Sequence, residues 1–518
     1  MRFAIPEMPP ASRIGIGAML DRLIAALTDP ARRERAVVPV LVGYCAVWTL
    51  YGAIAKGSQD IHFDMGEMVA WSRETVWGTP KHPPFGAWLV RAWFGVFPLA
   101  DWAYYLFAIA LATLALWIAW KIAGRYLDGE KRVVGLALLT LVPFFNFHAL
   151  KYNANTVMIP LWAATTALFL RSYETRAPVW AALAGLAAAA AMLGKYWSVV
   201  LLLGLALAAL ADPRRVAYFR SLAPWTTIAA GLIALAPHIA WLHANHFTPF
   251  TYAMETHPGT LVESVRSGLA YVGGAAAYVA VPVALAALAA WPFGAALRDT
   301  LWPNAPERRL VVLAFALPLV LPLLLAVAAR EQVVSLWSIA SMTLLPVVLL
   351  SSPAVTLPVI GVRRIAGIAL AFPLLALALS PLIATVIHRQ GVPNYGTHYS
   401  GLARAVDTAW RETTDRPLRF LGSYNNLLYG VLFYLPRQVT PLEIVDPRVT
   451  PWVDDAEAAR GGIALVCPVE ETGCMKALEE RAASARSSRR TEVAITRRWL
   501  GTDDTPDRFV IVTVPPRP

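Results

Sequence analysis

Residues 63–88 hold the side-chain types that acid–base chemistry needs. The segment reads FDMGEMVAWSRETVWGTPKHPPFGAW and carries Asp64, Glu67, Arg73, Lys81 and His82. A carboxylate can take a proton from a hydroxyl as a general base, and basic side chains can bind a phosphate. We therefore interpret Asp64 as a candidate base, with Glu67 one helical turn further on as a neighbouring polar group. A solvated loop aspartate is the alternative.

Composition places these charges in a membrane protein. The chain has 518 residues, of which 57% are hydrophobic and 15% charged, whereas soluble domains average about 25% charged residues. The formal net charge of +11 is scattered between apolar segments. This pattern suits loops that face an anionic membrane surface, and it argues against a nucleic-acid partner, which would need a basic stripe on a soluble domain.

Apolar segments of span length or nearly so follow one another along residues 37–388. Basic residues collect in alternate loops, which the positive-inside rule places in the cytoplasm. We expect a cytoplasmic segment over 1–36, with a surface helix near 14–27, and eleven crossings that leave the C-terminus in the periplasm of a bacterial inner membrane. The expected spans are 37–55, 102–122, 133–150, 157–171, 178–194, 197–211, 222–242, 266–296, 309–329, 332–352 and 365–388.

The tail, residues 389–518, has a different character. Strand-like runs such as GIALVCPV alternate with helix-like stretches, which predicts a small α/β domain. Cys467 and Cys474 lie close together here; they form a disulfide if the tail is outside the cytoplasm and are ordinary thiols otherwise. The fold class is thus a mainly α polytopic membrane domain over 37–388, whose first outer loop is 56–101, with a C-terminal α/β domain.

Several lysines lie on the side that the positive-inside rule disfavours. Lys56, Lys81, Lys151 and Lys195 all fall at the expected outer ends of spans. Each could simply extend its ammonium group to the interface. Together with Arg73 and His82, however, they indicate an anionic group held at the outer leaflet, and a phosphate there belongs most simply to a lipid.

Four stretches resemble the GT-C glycosyltransferases of family 39. They are Asp64 through Trp77-Gly78 to "KHPP" at 81–84, "LGKYWSVVLLLGL" at 193–205, "PHIAWLHANHF" at 237–247 and "RPLRFLGSYNNLLYGVLFYLPRQ" at 416–438. The closest branch contains the lipopolysaccharide galacturonosyltransferases; aminoarabinose transferases and protein O-mannosyltransferases are relatives. The chain departs from the family pattern at Met65, at Lys81 and at Asn155, where relatives often carry an acidic residue.

The resemblance implies an inverting transfer from a polyprenyl-phosphate sugar. Asp64 would deprotonate the acceptor hydroxyl, and Lys81, His82, Lys195, Lys56 and Arg73 are candidates to stabilise the leaving phosphate. Glu67, Lys151, Asn155 and Trp241 are candidates for the acceptor or sugar. Asn155 cannot serve as a base, so we expect it only to hydrogen-bond.

We expect no cofactor and no metal. His238, His243 and His246 could suggest a metal site. The spacing of His243 and His246 fits one helix face, but no clear third ligand accompanies them. The expected partners are the lipid-linked donor, a glycolipid or glycan acceptor (lipid A, core oligosaccharide or another glycan) and membrane lipids, with the chain acting as a monomer.

Other functions stay open at this point. The acceptor could be a protein. A transporter or flippase of lipid-linked sugars would place charges within the membrane or along a central cavity, and a scaffold or receptor would leave the lysines unexplained. A transferase requires Asp64, Lys81 and Lys195 to meet in one cavity.

Overall fold

The computed structural model describes residues 15–516 apart from 75, 257, 290–292, 393–394 and 397. Most of the chain is helical. The helices up to residue 390 are α1 (Ile16–Thr28), α2 (Arg33–Ala55), α3 (Phe63–Arg73), α4 (Phe85–Val96), α5 (Asp101–Ala123), α6 (Gly129–Thr140), α7 (Ala154–Thr175), α8 (Pro178–Gly194), α9 (Val199–Ala211), α10 (Arg215–Phe219), α11 (Ala223–Ala244), α12 (Thr248–Thr256), α13 (Leu261–Ala289), α14 (Phe293–Leu301), α15 (Pro306–Ala329), α16 (Leu345–Leu350) and α17 (Val359–Gln390).

Six of these helices in the described part of the chain are long and apolar enough to cross a membrane: α2, α5, α11, α13, α15 and α17. Shorter apolar helices cover Pro178–Gly194, Tyr196–Ala211 and Ser335–Leu350. The expectation of a polytopic, mainly helical domain is confirmed. The count of eleven crossings stays a prediction, and one of its spans, 266–296, runs into residues outside the described ones.

The helix in the region of the expected span 133–150 ends ten residues before that span does. α6 ends at Thr140, and a 3₁₀ turn follows at Pro143–Phe145. The buried Asn146 amide donates to the carbonyls of Thr140 (3.0 Å) and Val142 (3.2 Å), which satisfies groups that a helix end leaves open. The expected span 332–352 is also not one continuous α-helix. It consists of a 3₁₀ helix, Ser335–Leu344, followed by α16.

A mixed sheet forms the C-terminal α/β domain. Its elements are α18 (Tyr399–Arg411), β1 (Phe420–Ser423), α19 (Asn425–Phe433), β2 (Thr440–Glu443), α20 (Asp455–Gly461), β3 (Ile463–Pro468), α21 (Thr472–Ser484), β4 (Arg489–Ile495), β5 (Arg498–Trp499), β6 (Thr502–Asp503) and β7 (Asp507–Val514). Five strands run in the order β2-β1-β3-β7-β4, and β5 pairs with β6. The first three strands of that order are parallel, whereas β7 is antiparallel to both of its neighbours.

A disulfide joins Cys467, on β3, to Cys474 in the first turn of α21. It fixes one end of that helix against the sheet. Of the two alternatives that the sequence left open for these cysteines, the structure has the disulfide.

The α/β domain packs against the loop that carries the candidate base. α3 lies on α19, and Gly66 permits this close approach because a Cβ there would lie 2.4 Å from the Tyr429 carbonyl oxygen. The buried carboxylate of Asp60 accepts from the Arg497 guanidinium at 2.6 Å and from the Ser400 N–H at 3.0 Å. The loop is therefore held between the helical bundle and the domain.

Candidate active site

Asp64 lies in the first turn of α3, whose start is fixed by His62. The Asp64 N–H donates to His62 Nδ1 at 3.0 Å, so the imidazole caps the helix in place of the usual hydroxyl or carboxylate. Burial lowers the pKa of His62, which keeps that ring nitrogen free to accept. The helix start therefore sets the direction of the Asp64 side chain.

Basic and amide groups surround the Asp64 carboxylate. Its Oδ2 accepts from Asn153 Nδ2 at 2.8 Å and lies 3.6 Å from Lys151 Nζ. Burial alone would raise the pKa of Asp64, but His62, Lys151 and the Asn153 amide outweigh burial and hold the pKa below its usual value. Asp64 is therefore ionised at neutral pH and able to accept a proton.

Glu67 and Lys81 form a buried ion pair beside Asp64. Lys81 Nζ lies 3.0 Å from both carboxylate oxygens of Glu67, whose side chain is only 4% exposed. Burial would lower the pKa of Lys81, yet Glu67 raises it above its ordinary value. Lys81 is thus a charged ammonium. Burial raises the pKa of Glu67 to about 7 against the opposing effect of Lys81, so the carboxylate matches that charge fully above this pH.

Lys195 lies where α8 ends and a 3₁₀ turn begins. Its ammonium donates to Asn155 Oδ1 at 2.6 Å and lies 4.9 Å from the centre of the Trp337 ring. Within the described ranges, no carboxylate lies within ion-pair distance of it. Burial lowers the pKa of Lys195 to about 7, against the opposing effect of Asp64.

A cavity of about 770 Å³ joins these side chains. Its polar end carries Asp64, Glu67, Lys81 and Lys195. Apolar and aromatic walls continue from there, and they come from helices far apart in the sequence: Met68, Met192, Trp197, Val199, Phe250, Tyr252, Met254, Leu325, Ala326, Ala329, Val333 and Trp337. His82, Asn153, Asn155, Glu331 and Gln332 also face the cavity.

Four of the predicted site residues do not line this cavity. Arg73 donates to the Leu432 carbonyl in the last turn of α19 and to the Val439 carbonyl beyond that helix. Lys56 lies over the Tyr395 ring at 4.3 Å. Lys151 reaches the site only through its ion pair with Asp64. Trp241 packs against Gly78, where a Cβ would lie 2.4 Å from the indole.

His238, one of the histidines considered for metal binding, is held by protein groups. His238 contacts the Trp77 carbonyl at 2.6 Å and the Tyr196 hydroxyl at 3.0 Å, which ties α11 to the first loop. In the described part of the chain, no group of three or more His, Cys, Asp or Glu residues has a metal-binding arrangement.

Asn153 is a site residue that the sequence interpretation missed, as it also missed Glu331 and Gln332. It caps α7, accepting from the N–H groups of Asn155 and Thr156. The sequence signal was the asparagine itself, since Asn is among the residues preferred at helix N-caps. The same side chain then orients Asp64 through its amide hydrogen.

Known proteins resemble this arrangement in fold. The crystal structure of ArnT from Cupriavidus metallidurans bound to undecaprenyl phosphate aligns with a TM-score of 0.62 at 15% identity, over 92% of this chain and 97% of that chain. Apo ArnT from Cupriavidus metallidurans aligns at 0.58 and 12% identity, over 92% and 98% of the two chains. At these identities the likeness shows the fold, and the chain has the fold of these ArnT structures.

The expected GT-C resemblance is thereby confirmed. Residues 81–241 also match the family model described as dolichyl-phosphate-mannose-protein mannosyltransferase. That stretch includes Lys81, Asn155 and Lys195, whereas Asp64 precedes it. Archaeal AglB from Archaeoglobus fulgidus gives a TM-score of 0.38 at 11% identity, over 89% of this chain and 74% of that chain. No curated protein sequence matches the chain.

Proposed function

We propose that the protein is an inverting glycosyltransferase that moves a sugar from a polyprenyl-phosphate donor to a hydroxyl of an envelope glycolipid or glycan, at the outer face of the bacterial inner membrane. One observation carries this proposal: an ionised carboxylate, Asp64, and a buried ammonium, Lys195, face the polar end of one cavity, from which apolar and aromatic walls continue. Such a cavity suits a ligand with a phosphate at one end and a hydrocarbon chain at the other.

The fold relative supports the donor class, since ArnT from Cupriavidus metallidurans was crystallised with undecaprenyl phosphate. A transporter or flippase is disfavoured because Asp64, Lys81 and Lys195, which the transferase hypothesis required together, do line one cavity. The acceptor could still be a protein, and mass spectrometry of the cell envelope distinguishes protein acceptors from glycolipid or glycan acceptors.

The chemistry follows from the charges. The acceptor oxygen forms a bond to the anomeric carbon while the bond from that carbon to the phosphate oxygen breaks, with its electron pair staying on the phosphate. The acceptor proton passes to Asp64. Because the departing phosphate gains negative charge, Lys195 stabilises the transition state more than the ground state, while Lys81 stays paired with Glu67. The step involves the two substrates and side chains of this chain, and it does not require a metal.

The decisive substitution is Asp64→Asn, which keeps the shape of the side chain and removes the base. We expect transfer to fall by about 100-fold or more, with unchanged thermal stability in detergent. Asp503→Asn, the same chemical change at an exposed position of β6, should retain full activity. Near-wild-type turnover by Asp64→Asn would remove the assignment of the base.

The assay compares envelope extracts from cells with and without the gene by mass spectrometry of glycolipids, glycans and proteins. A glycolipid or glycan that loses one sugar unit supports the proposed acceptor class. A glycoprotein difference would move the acceptor to protein. Unchanged profiles together with vectorial movement of the lipid-linked sugar in vesicles would favour the flippase.

A further inference from the structure

The cavity contains fewer available positive charges than its lysines suggest. Lys81 is matched by Glu67 at 3.0 Å, and Lys151, outside the lining, is matched by Asp64 at 3.6 Å. Lys195 is different, because its polar contact is the neutral amide oxygen of Asn155. Among the described residues, it is therefore the lining cation without a carboxylate partner.

A polyprenyl-phosphate sugar brings one negative charge on its phosphodiester. Lys195 balances that charge by itself, which leaves the ion pairs Lys81–Glu67 and Lys151–Asp64 intact. A second anionic group on the sugar would have to enter the same cavity without a cation of its own. No arginine is among the residues that line the described cavity, and Glu331, which does line it, adds a negative charge.

Given the proposed function, we infer that the transferred sugar carries no acidic group: the donor is the polyprenyl phosphate of a neutral or basic sugar, not of a uronic acid. An unpaired carboxylate in a partly buried cavity loses hydration, and no ion pair compensates for that loss. The sugar class thus differs from that of the galacturonosyltransferases, which the sequence pattern resembles. Lys81, freed from Glu67, would be the cation through which such a sugar could be admitted.

Binding to the purified protein in nanodiscs tests this inference. The probes are polyprenyl-phosphate galactose and polyprenyl-phosphate galacturonate, which differ only in the group at C6, and polyprenyl phosphate without sugar. We expect the neutral donor to bind at least about tenfold more tightly than the uronate, equivalent to one unpaired polar contact. Equal or tighter binding of the uronate would overturn the inference.

A charge variant makes the test sharper. Glu67→Gln releases Lys81 from its carboxylate and should reduce the preference for the neutral donor by several-fold, whereas Glu74→Gln, the same change on the same loop outside the cavity lining, should leave the preference unchanged. An unchanged preference in Glu67→Gln would contradict the charge argument. If Glu67→Gln does not fold, the comparison of the neutral and uronate donors on the wild-type protein still tests the inference.

The sugar-free probe separates the inference from the proposed function. If polyprenyl phosphate and both donors bind no better than to empty nanodiscs, the proposed function itself fails. If polyprenyl phosphate binds and the uronate is preferred, only the sugar class is wrong.

Discussion

At the scale of single residues, Lys195 decides how the site responds to pH. Burial lowers its pKa to about 7, so in the free protein the ammonium is charged below that pH and loses its proton above it. A bound phosphodiester stabilises the charged form, and binding above pH 7 must therefore take up a proton. Donor affinity should be constant at low pH and fall by up to about tenfold per unit above pH 7.

This dependence is measured as the dissociation constant of a polyprenyl-phosphate hexose between pH 6 and 9. The diester is the right probe because it does not itself titrate in this range. Lys195→Arg keeps a permanent charge and should bind with a nearly flat profile, and Lys195→Ala should bind weakly at every pH. Lys81→Arg is the matched control and should retain the wild-type slope, since Glu67 keeps Lys81 charged throughout. A flat wild-type profile would contradict the role of Lys195.

At the scale of elements, the ion pair between Asp60 and Arg497 holds α3 in place. Asp60 is 1% exposed and lies four residues before Asp64, while Arg497 comes from the segment before β5 and also donates to the Gly57 carbonyl at 3.2 Å. Arg497→Met leaves a buried carboxylate unpaired and should cost about 3–5 kcal/mol of stability. Transfer should fall in kcat more than in KM, because the base is displaced while the cavity walls remain.

The double variant Asp60→Asn with Arg497→Met provides the control. It removes both charges and should recover part of the melting temperature lost in Arg497→Met, as expected for two groups that interact directly. Thermal unfolding in detergent and steady-state kinetics measure the two effects. Additive losses in the double variant would show that the pair does not couple the domain to the loop.

The sequence predicted elements better than it predicted side-chain partners. Hydropathy alone distinguishes the membrane domain from the tail, and the strand-like run GIALVCPV forms β3. β2 and β4 were not anticipated, since Thr440–Glu443 contains a proline and Arg489–Ile495 begins with charges. Both are edge strands, whose pattern a buried core does not determine.

Long-range contacts explain what the sequence could not show. Arg73 and Lys81 belong to one loop and carry the same charge, yet Arg73 binds carbonyls some 360 positions later while Lys81 faces the cavity. Only the packing of α3 on α19 separates them. Asn155, whose amide cannot act as a base, accepts from Lys195, and its expected contact with the acceptor or sugar stays a prediction.

At the scale of the whole molecule, the side of the membrane on which the α/β domain lies is also the side on which the reaction takes place. α3 packs on α19, so the base and the domain cannot be on opposite sides. The disulfide Cys467–Cys474 and the basic loops at the other ends of the helices both favour a domain outside the cytoplasm. The proposed transfer to envelope acceptors requires this orientation.

Cysteine labelling of intact cells tests the orientation. In a Cys45→Ser background, which removes the free thiol in the described chain, Ser488→Cys places a thiol on the exposed surface of the domain and Ala217→Cys places one on exposed α10, within the basic loop. A membrane-impermeant maleimide should label position 488 in intact cells, and position 217 only after permeabilisation. Because cavity and domain share one side, the reverse pattern would put Asp64 and Lys195 in the cytoplasm, and a transfer onto envelope acceptors would then be untenable even if the Asp64→Asn variant were inactive.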